Sequence, residues 1–314
     1  MLITLPDYVL DFKDNLIESG RSKSTLKQYE SDLKKFFTWL ETHKGDVTLH
    51  TLKSLRQADI RLYFQFLKEK KLSQATIRRL ATVLSRLMIY HQCVGAHEIH
   101  KLAEAAPLRA LTEDDFITEA EFEKLTHTVL SKDPEVTRAS ARNYLLTRNW
   151  SFITLIRTFG LTPVDIHQIT MSQVNLAQEE LIIETENSKL TLHLNKELMK
   201  YIRDYYFSIP EAFRPRYYSE DPLFVAFNNI SYSFQYDYEK QKPKALSVRA
   251  IQETIKDEVR RANLRKISAV NLRNAAILDK LTKGYSDDRL MQHFKLTSEA
   301  SLRRYKQYAK EKNT

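Results

Sequence analysis

Apolar residues recur at the i, i+3, i+4, i+7 spacing of a helix face along most of the chain. The first such stripe lies in PDYVLDFKDNLIESG, with Pro6 at the opening turn and Gly20 at the stop. The second, SKSTLKQYESDLKKFFTWLETH, aligns Leu26, Tyr29, Leu33, Phe36, Phe37 and Leu40 behind a cap at Ser22 or Ser24. A third covers ADIRLYFQFLKEKK. A fourth, SQATIRRLATVLSRLMIYHQCV, starts at Ser73 and buries Ile77, Leu80, Leu84, Leu87 and Met88. Together these predict a compact helical domain over residues 1–105.

The periodicity then breaks. Residues 106–116, APLRALTEDDF, bring Pro107 and an acidic cluster and read as a linker. A second domain is expected over 117–314. It opens on ITEAEFEKLTHTVL, where Thr118 and Glu121 form a capping signature. NYLLTRNWSFITLIRTFG predicts a helix ending at Gly160. Period-two alternation appears in ELIIETENSKLTLHL, as two strands around a polar turn at Glu186–Ser188. Then come a helix in KELMKYIRDYYFSI, a Tyr/Phe-rich loop at 213–238 and a helix in SVRAIQETIKDEVRRANL. Two closing helices are expected near LRNAAILDKLTK and SEASLRRYKQYAKEK. The fold class is mainly α with one small β-hairpin.

Composition agrees with that pattern. Five glycines and eight prolines in 314 residues argue against disorder and against a turn-rich β fold. The net charge of +9 and pI near 9.3 point to a polyanion partner. The lone cysteine, Cys93, sits in an apolar run and reads as a core residue of a protein in a reducing compartment. No apolar span approaches the roughly 20 residues a membrane crossing needs, and the N-terminus does not read as a secretory leader. A cytoplasmic, nucleoid-associated protein is expected, without cofactor or metal.

A helical domain, a linker and a helical second domain with one hairpin resemble the plan of the tyrosine recombinases, the phage integrases and Xer proteins. The resemblance spans essentially the whole chain. It rests on STLKQYESDLKKFFTWL and LSQATIRRLATVLSRL in the first domain, and on FGLTPVDIHQITMSQVNL, the hairpin, NLRNAAI and a C-terminal tyrosine in the second. It implies a two-domain fold with a SAM-like DNA-binding domain followed by an integrase-catalytic-like domain.

The same resemblance defines positions for phosphoryl-transfer chemistry: arginines that fork onto phosphate oxygens, a lysine and histidines that move protons, and a nucleophilic tyrosine. The first arginine position holds Thr162, and Lys189 is displaced from the acidic hairpin turn toward the second strand. In VNLRN, Val270 and Asn274 stand at the histidine positions and only Arg273 remains. Leu296 takes the later histidine or tryptophan position, nine residues before Tyr305, the tyrosine of SLRRYKQY. Losing one preorganised donor costs on the order of 100- to 1,000-fold in rate. No recombinase activity is therefore expected, and Arg273 and Tyr305 read as vestigial. Arg273 either binds a phosphate or braces the fold, and Tyr305 has a function or is one tyrosine among 16. A shifted alignment brings in His293.

Duplex binding is the expected survivor. RSKSTLKQY presents Arg21, Lys23, Ser24, Thr25, Lys27 and Gln28 at a helix start. SQATIRRLATVLSR is read as exposing Gln74, Arg78, Arg79, Ser85 and Arg86. KPKALSVRAIQ offers Lys242, Lys244 and Arg249, and the resemblance points this helix into a major groove. Each cluster alone also reads as a solvated helix face.

The function this implies is sequence-specific binding of double-stranded DNA as a transcriptional repressor. A narrower resemblance is to the integrase-like repressors that hold temperate Bacillus phages of the SPβ type in lysogeny. A monomer is expected, with a regulatory protein or peptide as a further partner. The alternatives are a divergent active recombinase using Arg273, Lys189, His293 and Tyr305, a helper of another recombinase, and a helix-turn-helix protein built on SDDRLMQHFKLTSEASLRRY.

Overall fold

The apolar stripes account for most helices in the computed structural model, which describes residues 4–21, 23–94, 96, 99, 109–133, 140–185, 188–296 and 299–312. The side chains of Ser24, Glu184, Thr185 and Ser188 lie outside this description. The chain divides into two units, Met1–Arg109 and Ala110–Thr314.

In the first unit, α1 (Asp7–Glu18), α2 (Lys23–Lys44), α4 (Gln57–Glu69) and α5 (Gln74–Tyr90) correspond to the four stripes. Gly20, at φ +77°, turns the chain out of α1 in a conformation that costs a residue with a β-carbon about 1–2 kcal/mol. Ser73 caps α5 by accepting from the Thr76 amide. One short helix, α3 (Leu49–Ser54), falls where no stripe predicts one. Asp46 and the Thr48 cap supply its first-turn acceptors. Phe36, Phe37, Leu40, Tyr63, Leu84 and Met88 centre one core, to which Cys93 belongs.

The second unit is built around α7 (Leu146–Phe159), buried along nearly its whole length. Against it pack α6 (Glu119–Leu130), with the expected Thr118–Glu121 capping box, α9 (Lys196–Ser208) and α11 (Ala269–Thr282). A short α8 (Pro163–Gln168) leads into an antiparallel sheet of order β1 (Val174–Asn175), β2 (Glu180–Thr185), β3 (Ser188–His193). Leu181 pairs with Leu192 and Ile183 with Leu190, which turns one face of the hairpin into the core. Residues 186 and 187 of the expected turn lie outside the described residues.

Three sequence expectations change. The stretch 213–238 is not simply a loop: β4 (Phe227–Asn228) pairs with β5 (Ser233–Phe234), and β6 (Tyr236–Asp237) with β7 (Lys242–Pro243). These pairs are too short to show alternation. Between α10 (Val248–Arg261) and the end lie α11, α12 (Asp287–His293) and α13 (Glu299–Lys312), one helix more than the two expected. Gly284, at φ +79°, and the Ser286 cap separate α12 from α11. Of the stretch read as a linker, 106–108 fall outside the described residues, whereas Leu111 and Phe116 are buried in the second unit. They join Ile277, Leu290, Phe294, Leu302, Tyr305 and Tyr308 in a cluster of their own. Its acidic residues disguised this segment: Asp115 caps a turn at Thr112 while the two flanking apolar side chains point inward.

Candidate functional site

At the end of α7 the chain reverses through Gly160, at φ +68°. A β-carbon here would run into the Phe294 ring. Thr162 then caps α8. Its amide and hydroxyl both donate to Asp165 Oδ2 at 2.7 Å, and the Asp165 amide returns a bond to Thr162 Oγ1 at 3.1 Å. Lys295 Nζ lies 2.7 Å from the other Asp165 oxygen. Burial works against ionising Asp165, but the Lys295 ammonium and the Thr162 donors outweigh it and hold the carboxyl below its usual range. The hydroxyl at this position is thus committed to a helix cap.

Arg273 projects from α11 toward the same corner. One terminal nitrogen donates to the Gly160 carbonyl and the other to the Phe294 carbonyl. Its guanidinium also sits 5.6 Å from the Phe294 ring centroid. Burial pushes its pKa down, with the Asp165 and Tyr305 charges opposing. Of the two roles read from the sequence, the bracing one matches this geometry. Each terminal nitrogen of the fork already donates to a backbone oxygen. Arg273, Thr162, Pro163, Gln252, Lys256 and the exposed Val270 line a hollow of about 280 Å³.

Tyr305 is not among the residues that line that hollow. Its ring packs edge-on against Phe116 at 6.3 Å, and its hydroxyl donates to Asn274 Oδ1 at 2.7 Å. The Asn274 amide nitrogen is bonded in turn to the Asp115 carbonyl at 2.9 Å. Burial raises the phenol's pKa against the pull of Arg273, which makes the hydroxyl harder to ionise. Leu296 packs against the same cluster. His293 donates from Nε2 to the Phe159 carbonyl at 3.0 Å, and burial lowers its pKa to about 4. His293 and Lys189 line a second hollow, of about 330 Å³. Of the four groups of the divergent-recombinase reading, Arg273 lines the first hollow, Lys189 and His293 the second, and Tyr305 neither.

The three basic clusters fare unequally. Arg21, Lys23, Lys27, Gln28 and Gln74 are exposed and Thr25 half-buried, while the Ser24 side chain lies outside the described residues. On α5, Arg79 is no free phosphate ligand. Its Nε and Nη2 fork onto Asp32 at 2.8 and 3.1 Å, tying α5 to α2. Asp32 is sequestered there, so the pair works as an internal strut. Gln28 leans on the same carboxylate at 3.1 Å. Arg86 Nη1 donates to the Tyr29 hydroxyl at 2.7 Å, and Arg78 is half-buried. Ser85, read as exposed, is buried and donates to the Ala96 carbonyl. In the second unit Lys244 and Arg249 are exposed, Arg249 on the first turn of α10 behind the Ser247 cap, and Lys242 is half-buried in β7. Sequence spacing placed these side chains on helix faces but carried no sign of the carboxylates and hydroxyls across from them.

Sequence reasoning also passed over Lys280, Tyr285 and Arg289, which share the second hollow with Lys189. They come from different elements, so no local motif announces them. Among the described residues no group of three His, Cys, Asp or Glu is placed to hold a metal, and no helix is long and apolar enough to cross a membrane.

Comparison with known proteins bears on this architecture. The profile of the phage integrase N-terminal SAM-like domain matches residues 9–92. The tyrosine recombinase XerS of Streptococcus equi subsp. zooepidemicus is 32% identical over 103 residues, covering 27% of this chain and 29% of that protein. The match thus spans less than a third of that relative's length. XerC of Caldanaerobacter subterraneus subsp. tengcongensis is 23% identical over 295 residues, covering 87% of this chain and 74% of its own. The Tn1549 transposon integrase, solved in complex with transposon right end DNA, superposes with a TM-score of 0.65 at 12% identity, over 93% of this chain and 92% of that one. The fold is the two-domain fold of the tyrosine recombinases. Residues 9–92 thus carry a phage integrase N-terminal SAM-like domain, and most of the chain is similar to a Xer tyrosine recombinase.

Proposed function

We propose that this protein binds double-stranded DNA at specific sites and has kept the recombinase scaffold without its strand-cutting chemistry, acting as a transcriptional repressor in phage lysogeny. One observation carries the loss of chemistry. The Tyr305 hydroxyl is buried and bonded to Asn274, and Asn274 is tied to the Asp115 backbone. A phenol that must leave that bond and then ionise, without an imidazole or a second arginine at the family's positions, is a poor nucleophile. Binding rests on the exposed Arg21, Lys23, Lys27, Lys244 and Arg249, on the net charge of +9, and on kinship with a fold that the Tn1549 integrase uses on DNA. A bound protein of this size blocks polymerase without breaking a bond. It acts in the cytoplasm, on the nucleoid, as a monomer in solution.

A duplex nicked to trap covalent intermediates tests the chemistry. No adduct is expected with the native chain. An adduct that disappears in Tyr305→Phe would establish the second reading, a divergent recombinase. Mapping of bound sites, with transcript changes on deletion, tests repression: bound promoters whose transcripts do not rise on deletion would overturn it.

A further inference from the structure

The second hollow combines features the proposed function does not use. Lys189 of β3, Lys280 of α11 and Arg289 of α12 all line it, and among the described residues none of the lining is a carboxylate. Thr191 and Gln292 add neutral hydrogen-bonding groups to the same wall. Tyr285 gives the cations a common anchor. The Arg289 guanidinium lies 4.3 Å from its ring centroid and the Lys280 ammonium 5.2 Å from it. Both heads are therefore anchored at the same aromatic ring.

Like charges near one another repel, and an anion placed between Lys280 and Arg289 relieves that repulsion. The buried wall reports the same field. His293 sits with its pKa lowered to about 4, first by burial and then by the charges of Lys280, Arg273 and Arg289. Its Nε2 proton is spent on the Phe159 carbonyl, so the ring closes the floor of the hollow rather than adding a charge. Arginine beside lysine, with a threonine and a glutamine, is donor chemistry suited to the several oxygens of a phosphate. A volume of about 330 Å³ leaves room for more than the phosphate itself.

We propose that the hollow between β3, α11 and α12 is a phosphate-binding site, held by Lys280 and Arg289 around Tyr285, separate from the corner that Arg273 closes. The phosphate comes either from a DNA backbone or from a free nucleotide, and two measurements on one set of proteins tell these apart. Wild type, the double variant K280Q/R289Q and the charge-keeping Arg289→Lys are titrated with deoxyadenosine monophosphate by calorimetry. The same proteins are then titrated with a random-sequence duplex over a range of salt. Circular dichroism confirms that each variant is folded.

A free-nucleotide site gives a calorimetric signal in wild type and in Arg289→Lys that K280Q/R289Q loses, with duplex binding unchanged. A backbone site gives no nucleotide signal, but duplex affinity falls at least tenfold in K280Q/R289Q and the salt slope becomes shallower by about 2. If neither titration changes in K280Q/R289Q, the proposal is overturned. Wild-type duplex binding, read separately, tests the DNA-binding reading on its own.

Discussion

Replacing Arg273 by alanine separates the two roles that its sequence context allowed. The side chain carries charge-assisted bonds to the Gly160 and Phe294 carbonyls, and both acceptors stay near the cluster of α11, α12 and α13 after truncation. A hydrogen bond to a charged group contributes about 1.5–3 kcal/mol, and stranding a buried acceptor costs about 1–3 kcal/mol. Against this stands relief of the cost of burying a guanidinium, which the lowered pKa of Arg273 registers. A net loss of about 3 kcal/mol is expected from these opposing effects. For a unit of this size that corresponds to a midpoint roughly 6–12 °C lower. Thermal and urea unfolding, followed by circular dichroism, measure it, and the folded variant's duplex affinity is titrated against salt. The strut role requires a lower midpoint with an unchanged salt slope. An unchanged midpoint, with a slope shallower by about 1, would make Arg273 a phosphate ligand and refute the reasoning.

Gly160→Ala asks for a left-handed backbone at a β-bearing residue and for space the Phe294 ring occupies, so a loss of about 2–5 kcal/mol is expected in urea unfolding. The pH dependence of stability should carry the mark of His293. Its folded pKa, about 4, lies below the unfolded value of 6.5, so the unfolded chain takes up the proton first and stability falls as pH drops between those values. His293→Gln should flatten that part of the profile, and an unaltered profile would contradict the buried neutral ring. Arg249→Ala should cost about 1–3 kcal/mol on a specific site and relax its base preference, whereas Lys27→Ala should weaken binding to every sequence alike. Gel-shift titrations on matched and scrambled duplexes read the difference.

Helix periodicity was enough to find the stripes of α1, α2, α4 and α5, and capping chemistry was enough to start α6 at Thr118. Both signals are local. The elements that escaped, α3 and the strand pairs between Phe227 and Pro243, are too short to repeat a period. The basic side chains show the same limit at atomic scale. Arg79 and Lys27 look alike on paper, yet Arg79 faces Asp32, which lies 47 positions away in the chain. What Arg273 does depends on the ends of two other helices, and a sequence does not write down which carbonyls those ends leave open.

Asn274 holds two things at once, the hydroxyl of Tyr305 and the backbone of Asp115. That double duty ties the fate of the phenol to the fate of the segment before α6. A substitution that removes the amide would release the Tyr305 hydroxyl and unfasten the 111–116 segment from α11 in one step. One amide thus makes the exposure of a phenol and the loosening of a chain segment a single event rather than two.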